Sequence, residues 1–170
     1  KSKCKILIDP YLKGYGIEGL TEYNPNAALW AEQVNPDMIL ITHGHGDHFG
    51  QALKILKRQN AIVIASTKIC SFLKGKLNSI KCLPIEPGVV VRQKGVKIKA
   101  VKATHRFNLE GIIGDIIGTL NYNQYIPCGT NLGFIIDVEN TIIYHSGDTK
   151  EVAEIESPDI AFMSMDGFRT

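Results

Sequence analysis

The sequence predicts an α/β fold in which helices and mixed β-sheets pack as a layered sandwich. Short apolar runs bounded by turn residues alternate with segments of helical spacing along the chain, which is typical of strands and helices that pack in layers. An antiparallel hairpin block interrupts this alternation in the second half of the chain. The sheets are therefore expected to be mixed rather than purely parallel.

The composition predicts one ordinary globular domain across all 170 residues. A hydrophobic content of 44% and a charged content of 21% argue against disorder. The formal net charge is only +2, so the basic clusters are interpreted as solvated faces before any surface for nucleic acid. These clusters comprise Lys54, Lys57, Arg58, Lys94, Lys97, Lys99 and Lys102.

No apolar run approaches the roughly 20 residues that a membrane span requires, and no charged-then-apolar leader opens the sequence. We therefore expect a cytoplasmic protein. A nucleic-acid partner is not favoured, and a homo-oligomer stays open. The four cysteines, Cys4, Cys70, Cys82 and Cys128, form no C-x-x-C pair, which argues against a structural zinc site and against a disulfide scaffold. Reduced, mostly buried thiols are the expectation.

Hydrophobic periodicity predicts the elements of the first half. In order, these are a strand at 4–9, a helix at 24–34, a strand at 37–42, a helix from Phe49, a strand at 61–66, a helix at 67–77 and a strand at 79–85. Pro10 ends the first strand, and a polar, glycine-rich connection follows it. Asn24 is the expected N-cap of the first helix, with Pro25 at its first helical position.

The second half is predicted to be mainly β. Its elements are two β segments within 88–104 that turn at 93–95, a hairpin at 132–149 that turns at 138–140, a short helix at 150–155 and a strand at 159–165. Between them, residues 105–130 are weakly patterned and are interpreted as a substrate-facing loop, because long loops in compact domains are usually functional or mobile.

All five histidines follow or end predicted strands. His43, His45 and His48 crowd into the stretch "HGHGDH" with Asp47, while His105 and His145 each end or follow another strand. Ligands gathered from separate strand ends are how a rigid scaffold builds a precise site. Imidazole and carboxylate suit Zn²⁺, Mn²⁺ or Fe²⁺. The cluster therefore predicts a metal site rather than a flexible loop with surface histidines.

The motifs "LIDP", "DMILITHGHGDHFG", "ATH" and "IIYHSGDT" resemble, in order, those of the metallo-β-lactamase fold superfamily. The similarity is greatest to the metal-dependent hydrolase branch related to L-ascorbate-6-phosphate lactonase. It implies a four-layer αββα sandwich and one or two metal ions, with Zn²⁺ favoured over Mn²⁺ or Fe²⁺. It also implies a small-molecule substrate, in which a metal-bound hydroxide hydrolyses a lactone, ester, amide or phosphodiester bond.

Carried over by position, the resemblance implies His43, His45 and His105 on one ion, Asp47 and His48 on the other, and Asp148 between them. Asp47 would also orient the nucleophile, as the catalytic residue. Asp9 would either orient a ligand imidazole or form a turn before Pro10, and neither reading is preferred. A structural role is favoured for His145, because bridging belongs to the aspartate in the family.

The sequence departs from the family pattern in one respect. In the superfamily a later histidine completes the second metal centre, and no histidine follows His145 here. We therefore expect a single domain that is part of a longer protein and lacks both ends; a single-metal or degenerate enzyme is the alternative. Two other functions stay open: a non-catalytic metal-binding or nucleic-acid-associated module, and a flavodiiron-type oxygen reductase, a lineage with a glutamate where His45 stands.

Overall fold

The computed structural model describes residues 4–17, 21–24, 27–104, 126–152, 155 and 157–164. In chain order the elements are β1 (Ile6–Ile8), β2 (Tyr15–Ile17), β3 (Thr21–Tyr23), a 3₁₀ turn (Ala31–Gln33), β4 (Met38–Leu40), α1 (Gly46–Phe49), α2 (Ala52–Arg58), β5 (Ile62–Ala65), α3 (Thr67–Lys76), β6 (Cys82–Pro84), β7 (Val90–Gln93), β8 (Val96–Lys102), β9 (Leu132–Val138), β10 (Thr141–His145) and β11 (Ile160–Phe162).

Two main sheets organise these strands. The first is parallel, in the order β1-β4-β5-β6, and the second has the order β11-β10-β9-β8-β7. In the second sheet β10 and β11 are parallel, whereas the other neighbours are antiparallel. A separate antiparallel pair joins β2 to β3. The sequence analysis did not predict this pair, because two strands of three residues are too short to show a reliable alternation of apolar residues.

The two faces of the first sheet bury different layers. Ile39 of β4 and Ile41, which directly follows this strand, belong to an apolar cluster with α2 and α3, whereas Met38 and Leu40 of β4 face a second cluster that includes Phe134 of the other sheet. This separation follows from the period of two along a strand. Because both faces are covered, the strand is a continuous apolar run. The predicted α/β sandwich is confirmed, with helices on the first sheet and the second sheet behind it.

The carboxyl ends of the parallel strands meet at one edge of the molecule. Asp9 follows β1, and its backbone N–H donates to the carbonyl of Leu40 at the end of β4. The backbone N–H of Leu132, at the start of β9, donates to the carbonyl of Thr42 over 3.1 Å. The two sheets are thus hydrogen-bonded to each other at this edge, which is where open α/β sheets bind ligands.

The helix predicted at 24–34 is wrong in the described part of the chain. Only one 3₁₀ turn forms there, between extended Trp30 and extended Val34. Asn24 adopts a positive φ of 60° and donates its side-chain amide to the carbonyl of Tyr11 over 2.5 Å, so it serves a turn rather than an N-cap. The proposed position of Pro25 lies outside the described residues. Pro36 further disfavours a longer helix, because the residue before a proline avoids the α region.

The short helix predicted at 150–155 is absent from residues 150–152. There the backbone N–H of Lys150 donates to the carbonyl of Thr104 over 3.0 Å, and the Thr149 hydroxyl contacts both the carbonyl and the N–H of Glu151. Tertiary hydrogen bonds to the end of β8 therefore replace a helical turn. The other predicted strands and helices within the described residues are confirmed, with bounds shifted by a few residues.

The expectation of four reduced thiols is wrong for two of them. Cys70 on α3 and Cys82 on β6 form a disulfide, with Cα atoms 5.5 Å apart. Both residues are almost fully buried. The bond covers a sequence separation of 12 and joins a helix to the strand on which it packs. Cys4 is a free thiol, and both Cys4 and Cys128 are half-buried. No helix in the described part of the chain has the length and apolar character needed to cross a membrane.

The disulfide predicts a measurable stability difference. Because closing a loop of this length restricts the unfolded chain, its loss should lower the free energy of unfolding by about 3 kcal/mol. Urea unfolding of the Cys82→Ser variant, compared with the wild type, measures this difference. Cys4→Ser is the matched control, since Cys4 forms no disulfide. Equal stability of the wild type and Cys82→Ser would contradict the prediction.

Candidate metal centre

The histidine cluster occupies the turn between β4 and the first helix. His43 and His45 follow the buried strand end and are themselves 1% and 6% exposed. His45 precedes α1, whose first turn carries Asp47 and whose last turn carries His48. One strand end and one short helix thus bring four potential ligands together. This explains why the spacing in "HGHGDH" is so dense.

Two glycines allow other segments to approach this turn. A Cβ on Gly44 would lie 2.2 Å from the carbonyl oxygen of Pro127, and the Gly44 N–H donates to the carbonyl of Cys128 over 2.8 Å. Gly50 has a φ of 48°, and a Cβ there would lie 2.2 Å from the carbonyl oxygen of Pro10. Side chains at these positions would push the neighbouring backbone away from the cluster. Pro127 and Cys128 belong to the loop predicted at 105–130; residues 105–125 of that loop lie outside the described residues, so its predicted role toward a substrate stays a prediction.

The imidazoles of His43 and His45 point their nitrogens at each other. Nε2 of His43 lies 2.9 Å from Nδ1 of His45, and the ring centroids are 4.5 Å apart. One of these nitrogens carries a proton when the two are in contact without an ion. The same convergence would let both lone pairs bind a single cation, since adjacent ligand atoms of one ion lie at such separations.

A second group of donors faces the first. Nε2 of His48 lies 3.2 Å from Oδ2 of Asp148 and 3.8 Å from Oδ2 of Asp47. Asp148 comes from the loop after β10, so the second sheet supplies this carboxylate. The Asp47 side chain is 48% exposed, whereas that of Asp148 is 18% exposed. Asp47 therefore lies on the open side of the group.

One combination of these residues could hold a cation. His43, His48 and Asp148 each offer one ligand atom, and all three atoms lie within 4.8 Å of one another. Two neutral imidazoles and a carboxylate are donors that Zn²⁺, Mn²⁺ and Fe²⁺ accept. Because His45 and Asp47 flank this group, the donor set has enough nitrogen and oxygen atoms for one or two ions. The residues present fit the metal that the sequence analysis predicted.

The Asp9 carboxylate binds Thr42 and the far nitrogen of His48. Its Oδ2 accepts hydrogen bonds from Nδ1 of His48 over 2.8 Å and from the Thr42 hydroxyl over 2.6 Å, while Oδ1 accepts the Thr42 backbone N–H over 2.8 Å. The His48 ring is thereby held with Nε2 toward Asp148. A carboxylate on the far nitrogen of a ligand imidazole has this effect in many metal sites. Of the two roles left open for Asp9, the orienting role agrees with these contacts.

The pKa values of two imidazoles shift in opposite directions. Burial lowers the pKa of His48, but the nearby Asp9 and Asp148 carboxylates outweigh this effect and raise its pKa well above the usual value. Burial also lowers the pKa of His45, and there the Asp47 carboxylate opposes the shift without reversing it. His48 therefore holds a proton that a cation at Nε2 must displace, whereas His45 is neutral near pH 7.

His145 contacts the backbone of the Asp148 loop rather than the ligand group. Its Nδ1 accepts a hydrogen bond from the Gly147 N–H over 3.2 Å, and its ring centroid lies 6.2 Å from that of Phe162. Burial lowers the pKa of this imidazole. These contacts agree with the structural role favoured from the sequence.

Two more residues bear on this site, the predicted ligand His105 and the unpredicted Thr42. His105 lies outside the described residues, so its predicted role as a ligand stays a prediction. Thr42, to which the sequence analysis gave no role, is fully buried and contacts Asp9, His43 and His48. In the sequence, Thr42 is only a threonine between an apolar strand and the first histidine. Such threonines are too common to predict a role.

Comparison with known proteins identifies the family of this chain. The beta-lactamase superfamily domain matches residues 5–169. A UPF0173 metal-dependent hydrolase of Archaeoglobus fulgidus is 32% identical over 100% of this chain and 68% of its own length. A second, from Thermoplasma volcanium, is 34% identical over 100% of this chain and 67% of its own length.

A solved structure gives the same result for the fold. A metallo hydrolase from Ignicoccus hospitalis superposes with a TM-score of 0.57 at 25% identity, covering 87% of this chain and 55% of its own. The chain thus spans about two thirds of its curated relatives and just over half of this solved protein. Together with the clustered imidazoles and carboxylates, these matches show that the chain belongs to the beta-lactamase superfamily and, within it, to the UPF0173 metal-dependent hydrolases.

Proposed function

We propose that this site binds one or two Zn²⁺ ions and hydrolyses a lactone, ester, amide or phosphodiester bond of a small molecule. The observation that carries the proposal is the convergence of His43, His48 and Asp148, whose ligand atoms lie within 4.8 Å of one another. We favour Zn²⁺ because imidazole nitrogens and carboxylate oxygens are its usual ligands in hydrolytic sites. Mn²⁺ and Fe²⁺ accept the same donors.

The proposed ligand arrangement follows the two groups of donors. We assign His43, His45 and His105 to the first ion, and Asp47 and His48 to the second. Asp148 would serve both ions in this assignment. The 2.9 Å approach of the His43 and His45 nitrogens supports the first assignment, and the 3.2 Å contact between His48 and Asp148 supports the second.

When bound, such an ion lowers the pKa of a water molecule and polarises the scissile carbonyl or phosphoryl oxygen. The protein's own groups then position the reactants. The half-exposed Asp47 carboxylate faces the open side of the site, where it can accept a hydrogen bond from the attacking water and orient it. Asp9 keeps the His48 ring in place, because Oδ2 of Asp9 accepts a hydrogen bond from Nδ1 of His48 over 2.8 Å.

The lactone class is the first substrate class to test. The sequence motifs resemble those of the branch related to L-ascorbate-6-phosphate lactonase, so a panel of lactones should be compared with bis(p-nitrophenyl) phosphate. Turnover that requires added metal supports the hydrolase. Stoichiometric metal without turnover of either substrate class would instead favour a non-catalytic metal-binding module.

Metal binding should stabilise the protein, and more so at higher pH. At a free Zn²⁺ concentration 100 times the Kd, the free energy of unfolding should rise by about 2.7 kcal/mol. Because the pKa of His48 is raised, its proton competes with the cation. The apparent affinity should therefore increase from about pH 6 to about pH 8, across the usual titration range of histidine and above it.

Thermal unfolding of chelator-treated protein with added Zn²⁺ measures this effect. Asp148→Asn should lose most of the stabilisation, because it removes the charge closest to Nε2 of His48. Asp137→Asn is the matched control, since Asp137 pairs only loosely with Lys97 on the second sheet, at 3.8 Å. The ligand assignment would fail if Asp148→Asn responded to Zn²⁺ as the control does.

The role of Asp47 predicts a loss of turnover without a loss of stability. In Asp47→Asn, we expect kcat to fall by about 100-fold or more, because the amide is a poor acceptor for the proton of the attacking water. The free energy of unfolding should change by less than about 0.5 kcal/mol, as for most exposed positions. Steady-state kinetics and urea unfolding give the two values. Unchanged turnover in Asp47→Asn would refute the catalytic assignment, with Asp137→Asn again serving as control.

A further inference from the structure

The Thr42 side chain lies at the centre of the hydrogen bonds behind the metal centre. It is 0% exposed. Its Oγ1 is 2.6 Å from Oδ2 of Asp9, 3.1 Å from Nδ1 of His43 and 3.3 Å from Nδ1 of His48. One buried hydroxyl therefore contacts both the orienting carboxylate and two of the proposed ligands.

Counting protons determines which group donates in each of these contacts. An ionised carboxylate accepts only, so the Thr42 hydroxyl donates its single proton to Asp9 at the shortest of the three distances. Nδ1 of His48 is closer to Asp9, at 2.8 Å, than to the hydroxyl, and it donates to the carboxylate as well. The lone pairs of Thr42 Oγ1 are then left to accept from Nδ1 of His43.

Protonation of Nδ1 has a direct consequence for the other nitrogen of His43. A neutral imidazole carries one proton, so an Nδ1–H tautomer leaves the lone pair on Nε2. Nε2 is the nitrogen that points toward His45, over 2.9 Å, and into the proposed metal centre. In the opposite tautomer, two lone pairs would face each other across the 3.1 Å between Thr42 and His43.

We propose that Thr42 is a positioning residue: its hydroxyl relays the charge of Asp9 to His43 and holds that ring in the Nδ1–H tautomer, with Nε2 ready to bind a cation. This inference rests on the proposed ligand role of His43. Asp9 thereby orients two ligands at once, His48 directly and His43 through the Thr42 hydroxyl.

The methyl group of Thr42 lies close to the loop that carries Asp148. A Cβ built on Gly147, one residue before Asp148, would lie 3.1 Å from Cγ2 of Thr42, so the methyl lies close to this glycine. The backbone N–H of Thr42 donates to Asp9, and its carbonyl accepts from Leu132. Because these backbone contacts do not involve the side chain, substitutions at Thr42 isolate the hydroxyl.

Four side chains at position 42 separate the hydroxyl from the methyl group. Thr42→Val keeps the shape of threonine without the hydroxyl. Thr42→Ser keeps the hydroxyl without the methyl group, and Thr42→Ala lacks both. Thr141→Val is the matched control, because Thr141 lies at the opposite end of β10 from the metal centre. All variants are made in the full chain, and their Zn²⁺ affinity is measured by competition with a chromogenic chelator.

We expect Thr42→Val and Thr42→Ala to bind Zn²⁺ about 10- to 100-fold more weakly than the wild type, as is typical when a partner of a ligand histidine is lost. Thr42→Ser and Thr141→Val should bind close to wild type. If Thr42→Val does not fold, the comparison of Thr42→Ser with Thr42→Ala still decides, because these two differ only in the hydroxyl. Equal affinities of serine and alanine at this position would overturn the proposal.

A spectroscopic measurement on the metal-free protein tests the tautomer itself. Imidazole ¹⁵N chemical shifts distinguish a protonated from an unprotonated nitrogen, and the His43→Gln variant assigns the signals. Wild type and Thr42→Ser should show His43 protonated at Nδ1, whereas Thr42→Ala should shift it toward the Nε2–H form. An unchanged tautomer in Thr42→Ala would refute the relay. If the wild type bound no metal, the proposed function would fail, yet the tautomer measurement would still test this inference separately.

Discussion

The Asp9 carboxylate is the interaction on which the arrangement of this site depends. It accepts three hydrogen bonds, two from Thr42 and one from His48, over 2.6 to 2.8 Å. Asp9 itself adopts a positive φ of 45°, which is uncommon for a residue with a side chain. The three hydrogen bonds to the carboxylate hold it in that conformation. A buried charge with so many donors ties the end of β1 to the end of β4 and, through α1, to the ligands.

The two sheets must meet closely for the ligands of each to reach one point. Gly147 makes this possible on the side of the second sheet, since a Cβ there would lie 2.5 Å from the carbonyl oxygen of Leu132 and 3.1 Å from the Thr42 side chain. On the side of the first sheet, Gly44 admits the backbone of Pro127. Close backbone approach, rather than flexibility, is therefore what these glycines contribute to the site.

The negative charges of this cluster favour a bound cation. Three carboxylates, from Asp9, Asp47 and Asp148, surround His48, and their combined field raises the pKa of its imidazole despite burial. The same field that retains a proton on His48 favours a metal ion in its place. The cluster is thus stable with a proton and is expected to be more stable with a divalent ion.

Much of the fold and the site could be predicted from the sequence, because local patterns encode both. The apolar run of β4 predicted a strand, and the density of imidazoles and carboxylates in "HGHGDH" predicted that the turn after it carries candidate metal ligands. The residue types also predicted two tight turns, one at Lys94 and Gly95 and one at Glu139 and Asn140. All four residues have a positive φ. These features depend on a few neighbouring residues, whose conformational preferences act locally.

Only the tertiary structure decided the contacts between residues distant in sequence. The disulfide between Cys70 and Cys82 forms because α3 lies beside β6, a relation that cysteine spacing does not reveal. Thr42 acquires its partners because Asp9, 33 residues earlier, and Gly147, far later, reach the same edge of the sheets. The helix predicted at 24–34 was wrong for a related reason, since the Asn24 side chain binds the backbone of Tyr11 instead of capping a helix. The identities of the residues specify what each segment can do locally, but packing of the two sheets determines which of these groups meet.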